Sequence, residues 1–204
     1  MRGLMRKAAI AASIFGGALL ISVAAAEAGW QDAATPFDAK RLSQLDESRT
    51  KGLAELSSGE VSGDAAAMRE IASAPGQDIS ASALTGSWRC RTMKLGGLVS
   101  VAYSWFNCRI SSRGDRLYFE KTSGSQRISG YLYPNDGGTF VLLGAWTVNG
   151  EPKRIYSGSN PGYGAEGTPD DAIGLLSGLG GSHAKIEFPY PVQESTFDVM
   201  ELKR

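Results

Sequence analysis

Leu84-Thr85-Gly86-Ser87-Trp88-Arg89-Cys90-Arg91-Thr92-Met93-Lys94 and Trp105-Phe106-Asn107-Cys108-Arg109-Ile110 decide the fold of this chain. Both stretches alternate apolar with polar, the period of a half-buried strand. Leu95-Gly96-Gly97 between them reads as a turn. Setting Cys90 opposite Cys108 pairs Trp88 with Ile110 and Thr92 with Phe106 on the cysteine face. The same register pairs Arg89 with Arg109 and Arg91 with Asn107 on the other face, so apolar groups and cations separate cleanly. A disulfide here closes a loop of about 19 residues and contributes about 3 kcal/mol in the chain-entropy picture. Val101, Tyr103 and Trp105 fall on the arginine side, where they need cover. The N-terminal helices are expected to supply it, packing on the outer wall near Met93 and Trp105.

Working outward, the alternation continues to the end of the chain. Eight apolar or alternating runs occupy 84–94, 99–111, 115–122, 126–134, 138–148, 171–178, 182–189 and 194–203. Arg113-Gly114-Asp115, Ser123-Gly124-Ser125, Asn135-Asp136-Gly137-Gly138 and Gly180-Gly181 punctuate them as tight turns. The expectation is a mainly β chain, an eight-stranded antiparallel up-and-down barrel over 84–204 that closes on itself and leaves no open edge. A β-sandwich is the alternative. The 157–170 segment is too long and glycine-rich for a tight turn and reads as a functional flap or a mobile loop.

Upstream, Thr35-Pro36-Phe37-Asp38 offers a capping hydroxyl, a proline at the first helical position and an early acid. Leu42, Leu45, Leu53 and Leu56 follow near helical spacing, Ser57-Ser58-Gly59 ends the helix, and a shorter helix is expected over about 64–71. These make an N-terminal helical segment, 29–76. Before it, Arg2, Arg6 and Lys7 precede an apolar run from Ala8 to Ala26. Ala24-Ala25-Ala26-Glu27-Ala28 then offers small-residue cleavage positions. That is the layout of a secretory signal peptide, here 1–28. It predicts a periplasmic or secreted address, where Cys90 and Cys108 are oxidised.

Charge narrows the partners. Three of the 21 Lys+Arg residues and none of the 21 acids precede residue 27, so the remainder holds 18 cations against 21 acids, a net charge of −3. Nucleic acid and anionic lipid are not expected partners of such a surface. No second apolar stretch approaches the ~20 residues needed to span a bilayer once the leader is cut.

Several constellations bear on chemistry. Arg89, Arg91 and Arg109 form a cationic cluster in the expected register, either ion-paired to acids such as Glu120, Asp198 and Glu201 or forming an anion site. Trp88, Phe106 and Trp146, with Tyr131, Tyr133 and Phe140, fill a barrel core or line a ligand cavity. Lys121 to Arg127 is donor-rich but lacks the order of a phosphate-binding loop. Ser48-Arg49-Thr50-Lys51 matches S-x-x-K without its usual companions. His183 is the only histidine and alternates with Lys185 and Glu187 on an expected solvent face. Glu194, Asp198 and Glu201 share one run and admit a paired-acid reading, with capping and ion pairing as the default. With one histidine and paired cysteines no metal site is expected, and no cofactor motif occurs.

Gly29-Trp30, Ala34-Thr35-Pro36-x-Asp38, Trp88-Arg89-Cys90-Arg91-Thr92-x-Lys94-Leu95-Gly96-Gly97 and Trp105-Phe106-x-Cys108-Arg109-Ile110 together resemble a family of secreted Gram-negative bacterial proteins. Glu120-Lys121-x-x-Gly124-Ser125-Gln126-Arg127 and Glu194-Ser195-x-Phe197-Asp198-Val199-x-Glu201-Leu202 extend the resemblance over nearly the whole mature chain. The family is catalogued as domain of unknown function 4893, and the resemblance implies no activity or ligand. Gly86-Ser87-Trp88 is also similar to the first-strand Gly-x-Trp of lipocalin-like (calycin) barrels.

These readings converge on a binding or envelope-interaction module rather than an enzyme. The first expected partner is a small apolar ligand in the barrel mouth beside Trp88, Phe106 and Trp146. An inhibitor-like barrel would instead hold an envelope protein through the 157–170 loop and the exposed arginines. An unrecognised hydrolase would rest on His183 or on the Glu194, Asp198 and Glu201 group.

Overall fold

The computed structural model describes residues 29–158 and 168–204; the signal-peptide expectation for 1–28 and the middle of the long loop, 159–167, lie outside the described residues. The helices are α1 (Trp30–Ala33), α2 (Pro36–Ser43), α3 (Leu45–Ser58), α4 (Ala65–Ser73) and α5 (Ala81–Leu84). The strands are β1 (Val61–Ser62), β2 (Gly86–Leu95), β3 (Ser100–Ala102), β4 (Phe106–Arg113), β5 (Arg116–Lys121), β6 (Gln126–Asn135), β7 (Thr139–Val148), β8 (Asp171–Gly180), β9 (His183–Pro189) and β10 (Phe197–Lys203).

Eight strands form a closed antiparallel barrel. From β4 to β10 each pairs with the next, and β10 and β4 both pair with β2 to complete the ring. The two remaining strands are short: β3 pairs with the far end of β2, and β1 runs parallel to β3. Alternation along the strands sends Trp88, Ile110, Phe119, Leu142, Ile186, Met200 and Leu202 into one core inside the barrel.

The hairpin register differs from the expected one by two residues. Trp88 lies opposite Cys108 and Cys90 opposite Phe106, so the disulfide joins diagonal neighbours with Cα atoms 5.9 Å apart. Along β4 this two-residue offset preserves the face of every side chain, so the expected inner and outer sets survive there. It does change the neighbours: Arg89 faces Asn107, and Arg109 lies between Ser87 and Glu120. On β3 the step is odd: Val101 lies opposite Lys94 and Ala102 opposite Met93, so Val101 is not on the arginine side where it was expected. The expected 99–111 strand is also interrupted: residues 103–105 leave the ladder between β3 and β4, and the register shifts by one across them.

The outer wall over β2, β8, β9 and β10 is covered by helices. Leu45, Leu56, Met68 and Ile71 of α3 and α4 pack on Met93, Leu95, Phe197 and Val199, which point out of the barrel. Burial of this second apolar layer stabilises the helices, whose own lengths are marginal in water. Gly52 lets α3 approach: a Cβ there would sit 2.7 Å from the Cβ of Phe197. Met93 is thus covered as expected, but Trp105 is not covered by helix. The Arg91 guanidinium and the Lys203 ammonium flank its ring at 4.8 and 5.6 Å.

The expected single helix from Thr35 to Gly59 is two. Thr35 Oγ1 accepts from the Asp38 amide at 3.1 Å and starts α2. Gln44 then leaves helical geometry, and the break lets α2 pack on β8 while α3 packs on β9 and β10.

Candidate ligand cavity at the barrel mouth

The two ends of the barrel are built differently. At one end α5 and the tight hairpins gather. Trp88 Nε1 donates to the Leu84 carbonyl at 2.7 Å, and the Arg204 guanidinium lies 4.1 Å over the Trp88 ring while donating to the carbonyls of Leu84 and Thr85. Trp88 is 3% exposed and belongs to this sealed end.

The other end opens between Val148 with Pro169–Asp171 on one side and the 189–197 connection on the other. A cavity of about 190 Å³ lies there, with Trp146, Phe188, Ala172 and Asp198 on its barrel side, Arg41 from α2, and Val192 and Glu194 from the rim. Trp146 and Phe188 form its aromatic wall, with ring centroids 6.0 Å apart. Gly174 makes room for that wall, because a Cβ there would meet the Phe188 ring at 2.9 Å. The rim holds Tyr190 and Glu194 at φ 41° and 73°, a region that side chains seldom adopt.

Of the three aromatics expected to line a ligand, the fold brings only Trp146 to this cavity. Phe106 lies on the far side of the opening beneath the Lys121 ammonium, 4.2 Å from its ring centroid. Lys121 donates to the Gln126 carbonyl, and burial pulls its ammonium down to about 8.

Asp198 is the group at the mouth whose importance the sequence concealed. Strand alternation turns it inward, beside Phe188 on β9 and Lys94 on β2. It is 3% exposed, and Ser195 Oγ donates to its Oδ1 at 2.6 Å. Burial pushes its carboxyl up from 3.8 to about 7, against the pull of the Ser195 bond and of Lys94. The Lys94 ammonium itself pairs with Glu194. Burial works against that ammonium, yet Glu194 and Asp198 more than compensate and hold its pKa above the ordinary lysine value.

A buried polar tie fixes α2 to the cavity's edge. Asp38, fully buried, accepts from Arg41 and from the Tyr156 hydroxyl, the latter at 2.6 Å. Arg41 also donates to the carbonyls of Tyr190 at 3.1 Å and Asp171 at 3.2 Å. Asp171 in turn accepts from the backbone amides and hydroxyls of Ser157 and Thr168, clasping the base of the long loop.

The arginine cluster separates. Arg91 binds Glu201 at 2.6 Å, Arg89 donates to the Trp105 carbonyl at 3.0 Å, and only Arg89 and Arg109 share an open groove, with Lys203 and Arg204. Glu201 points outward, on the face of β10 opposite to Asp198, so the two do not form a paired-acid centre. Burial acts to raise the Glu201 carboxyl, but Lys203 and Arg91 outweigh it and hold the pKa below the usual range. His183 is partly buried and lies 2.9 Å from Glu201.

The solvent face expected for Lys185 and Glu187 is overturned. They are 1% and 2% exposed beneath the helices, paired at 3.1 Å, with Arg49 of α3 on Glu187 at 2.6 Å and the Ala74 carbonyl accepting from Lys185 at 2.7 Å. Among the described residues no cluster of histidine, cysteine and carboxylates is arranged to hold a metal ion.

A family model described as a domain of unknown function (DUF4893) matches residues 30–202, a span that runs from the start of α1 through all of the barrel but the last residue of β10. Neither a curated protein nor a solved structure is matched by the chain.

Proposed function

The chain belongs to the DUF4893 family, and from that premise we propose that it is a non-catalytic binding module that works in the periplasm or outside the cell. Its ligand site is the barrel mouth, and the ligand is a small molecule with an apolar body. The observation that carries this reading is the cavity of about 190 Å³, walled by Trp146 and Phe188. A concave, largely apolar site with a few converging polar groups is the usual form of a small-molecule pocket. The volume suits one ring, since roughly 150 Å³ admits benzene. The charge, apolar run and small residues of 1–28, with the Cys90–Cys108 disulfide, support the extracytoplasmic address.

Native mass spectrometry of protein taken from its own compartment tests the reading. A small molecule bound to the unmutated chain and lost in Ala172→Phe, which fills the cavity, is the expected result. A ligand-free mass for the unmutated chain overturns it.

The groove shared by Arg89, Arg109, Lys203 and Arg204 favours a second reading, a protein-binding barrel with an acidic envelope partner. Charge reversal at Arg89 and Arg109 would then abolish capture of that partner without lowering the melting temperature.

A further inference from the structure

The mouth cavity is acidic as well as aromatic. Four carboxylates line it, Asp170, Asp171, Glu194 and Asp198, against two cations, Arg41 and Lys94. Both cations are engaged. Arg41 pairs with Asp38 and donates to two carbonyls, and Lys94 pairs with Glu194. Three of the acids are engaged too: Asp170 with Arg154, Glu194 with Lys94, and Asp171 with four donors around the loop base.

Asp198 differs. It is almost wholly buried and lines the cavity, and its Oδ1 is bonded to the Ser195 hydroxyl. Among the described residues no cation lies within ion-pair distance of it and no donor reaches its Oδ2. The strand that places Lys94 opposite it sends that ammonium to the rim instead.

Three kinds of guest can be compared. An anion would meet this carboxyl while both lining cations are already committed. A neutral apolar guest would press hydrocarbon against a buried carboxyl and leave it without a new partner. An ammonium gains a charge-assisted hydrogen bond to the buried Asp198 carboxyl, and the attraction of an aromatic ring wherever it lies over Trp146 or Phe188.

We propose that the barrel mouth binds a small organic cation, an ammonium on a single-ring or similarly short apolar body, with its charge seated between Asp198 and the Trp146 ring. This rests on the reading of the mouth as a ligand site and names the class of ligand.

The groups that face Asp198 are Lys94 from β2, Glu194 and Ser195 from the rim, Asp170 and Asp171 at the start of β8, and Arg41 from α2. With its carboxyl near half-protonated at neutral pH, binding of a cation expels the proton. Affinity therefore falls by about tenfold from pH 8 to pH 6.

Isothermal titration of the disulfide-bonded protein with 2-phenylethylammonium, 2-phenylethanol and phenylacetate decides it. The ammonium, charged at both pH values, is expected to bind at least about tenfold more tightly than the alcohol at pH 8 and to lose about tenfold at pH 6. In Asp198→Asn the ammonium and the alcohol bind alike. Should that variant fail to fold, the pH comparison on the unmutated protein decides alone. Alcohol or phenylacetate binding as tightly as the ammonium overturns the cationic class and leaves the pocket intact. If none of the three binds, the proposal also falls. A molecule retained in native mass spectrometry would then preserve the ligand-site reading, and a ligand-free mass would remove both.

Discussion

Lys94 and Asp198 stand directly opposite each other on β2 and β10, yet the Lys94 ammonium pairs with Glu194 on the rim. An inward-pointing acid is thereby left beside a cation without a close ion pair. The stability of the protein records this arrangement. Asp198 has its pKa raised from 3.8 to about 7 by burial. Such a group contributes stability that is fully present below about pH 4 and is lost as pH rises through about 7. Asp198→Asn is therefore expected to gain on the unmutated protein as pH rises from about 4 to about 8, by about 4 kcal/mol at most. Urea unfolding of both proteins across that range measures it, and equal pH dependence in the two would exclude the buried, shifted carboxyl.

The Asp38, Arg41 and Tyr156 tie predicts an asymmetry. Asp38→Ala strands a guanidinium that is 5% exposed and is expected to cost about 3–5 kcal/mol. Tyr156→Phe removes a hydroxyl that donates to Asp38 and accepts from the Thr35 amide, at about 1–3 kcal/mol. Chemical denaturation ranks the two, and a larger loss for Tyr156→Phe would contradict the assignment of Asp38 as the centre of the tie.

Beneath α3 and α4, Glu187 compensates both Lys185 and Arg49. Removing it alone by Glu187→Ala should cost about 3–5 kcal/mol, because the buried Lys185 loses its counter-ion and keeps only a carbonyl acceptor. Lys185→Met combined with Glu187→Met should recover much of that loss, since apolar groups of similar volume replace a desolvated pair. A double-mutant cycle gives the coupling, and additive losses would mean the pair is not coupled.

Cys90 and Cys108 are 18 residues apart in sequence. Replacing both with alanine is expected to lower unfolding stability by about 3 kcal/mol. The comparison is made by denaturation of the oxidised protein and the double variant, and unchanged midpoints would show that the cross-link does not constrain the unfolded chain.

The strand pattern was legible because alternation marks each strand independently of its neighbours, and all eight barrel strands fall on the expected runs. Pairing was less legible. A disulfide can join diagonal as well as facing residues, which leaves the β4 register two residues from the expected one with its faces unchanged. Nothing local in Tyr103-Ser104-Trp105 announces that these residues leave the ladder, which exchanges the sides of Val101 and Ala102. Alternation also says which side a residue points to, but not whether that side is wet. The alternation sends Lys185 and Glu187 to solvent because the helical layer above them is contributed by residues more than 100 positions earlier. The site was half legible for a related reason. Trp88 and Trp146 both point inward, and only the closure of the ring sends one to the sealed end and the other to the mouth. Asp198 and Glu201 looked alike as acids of one strand, although their odd spacing already assigned them to opposite faces.

The pairing of β2 with β10 also bears on the birth of the molecule. The first strand of the barrel must wait for its last, so an emerging chain carries two unpaired strand edges until Phe197–Lys203 has been made. A frameshift or premature stop within Phe197–Lys203 would therefore not simply shorten the product. It would leave a split cylinder with sticky lips, prone to self-association and exposed to quality-control proteases.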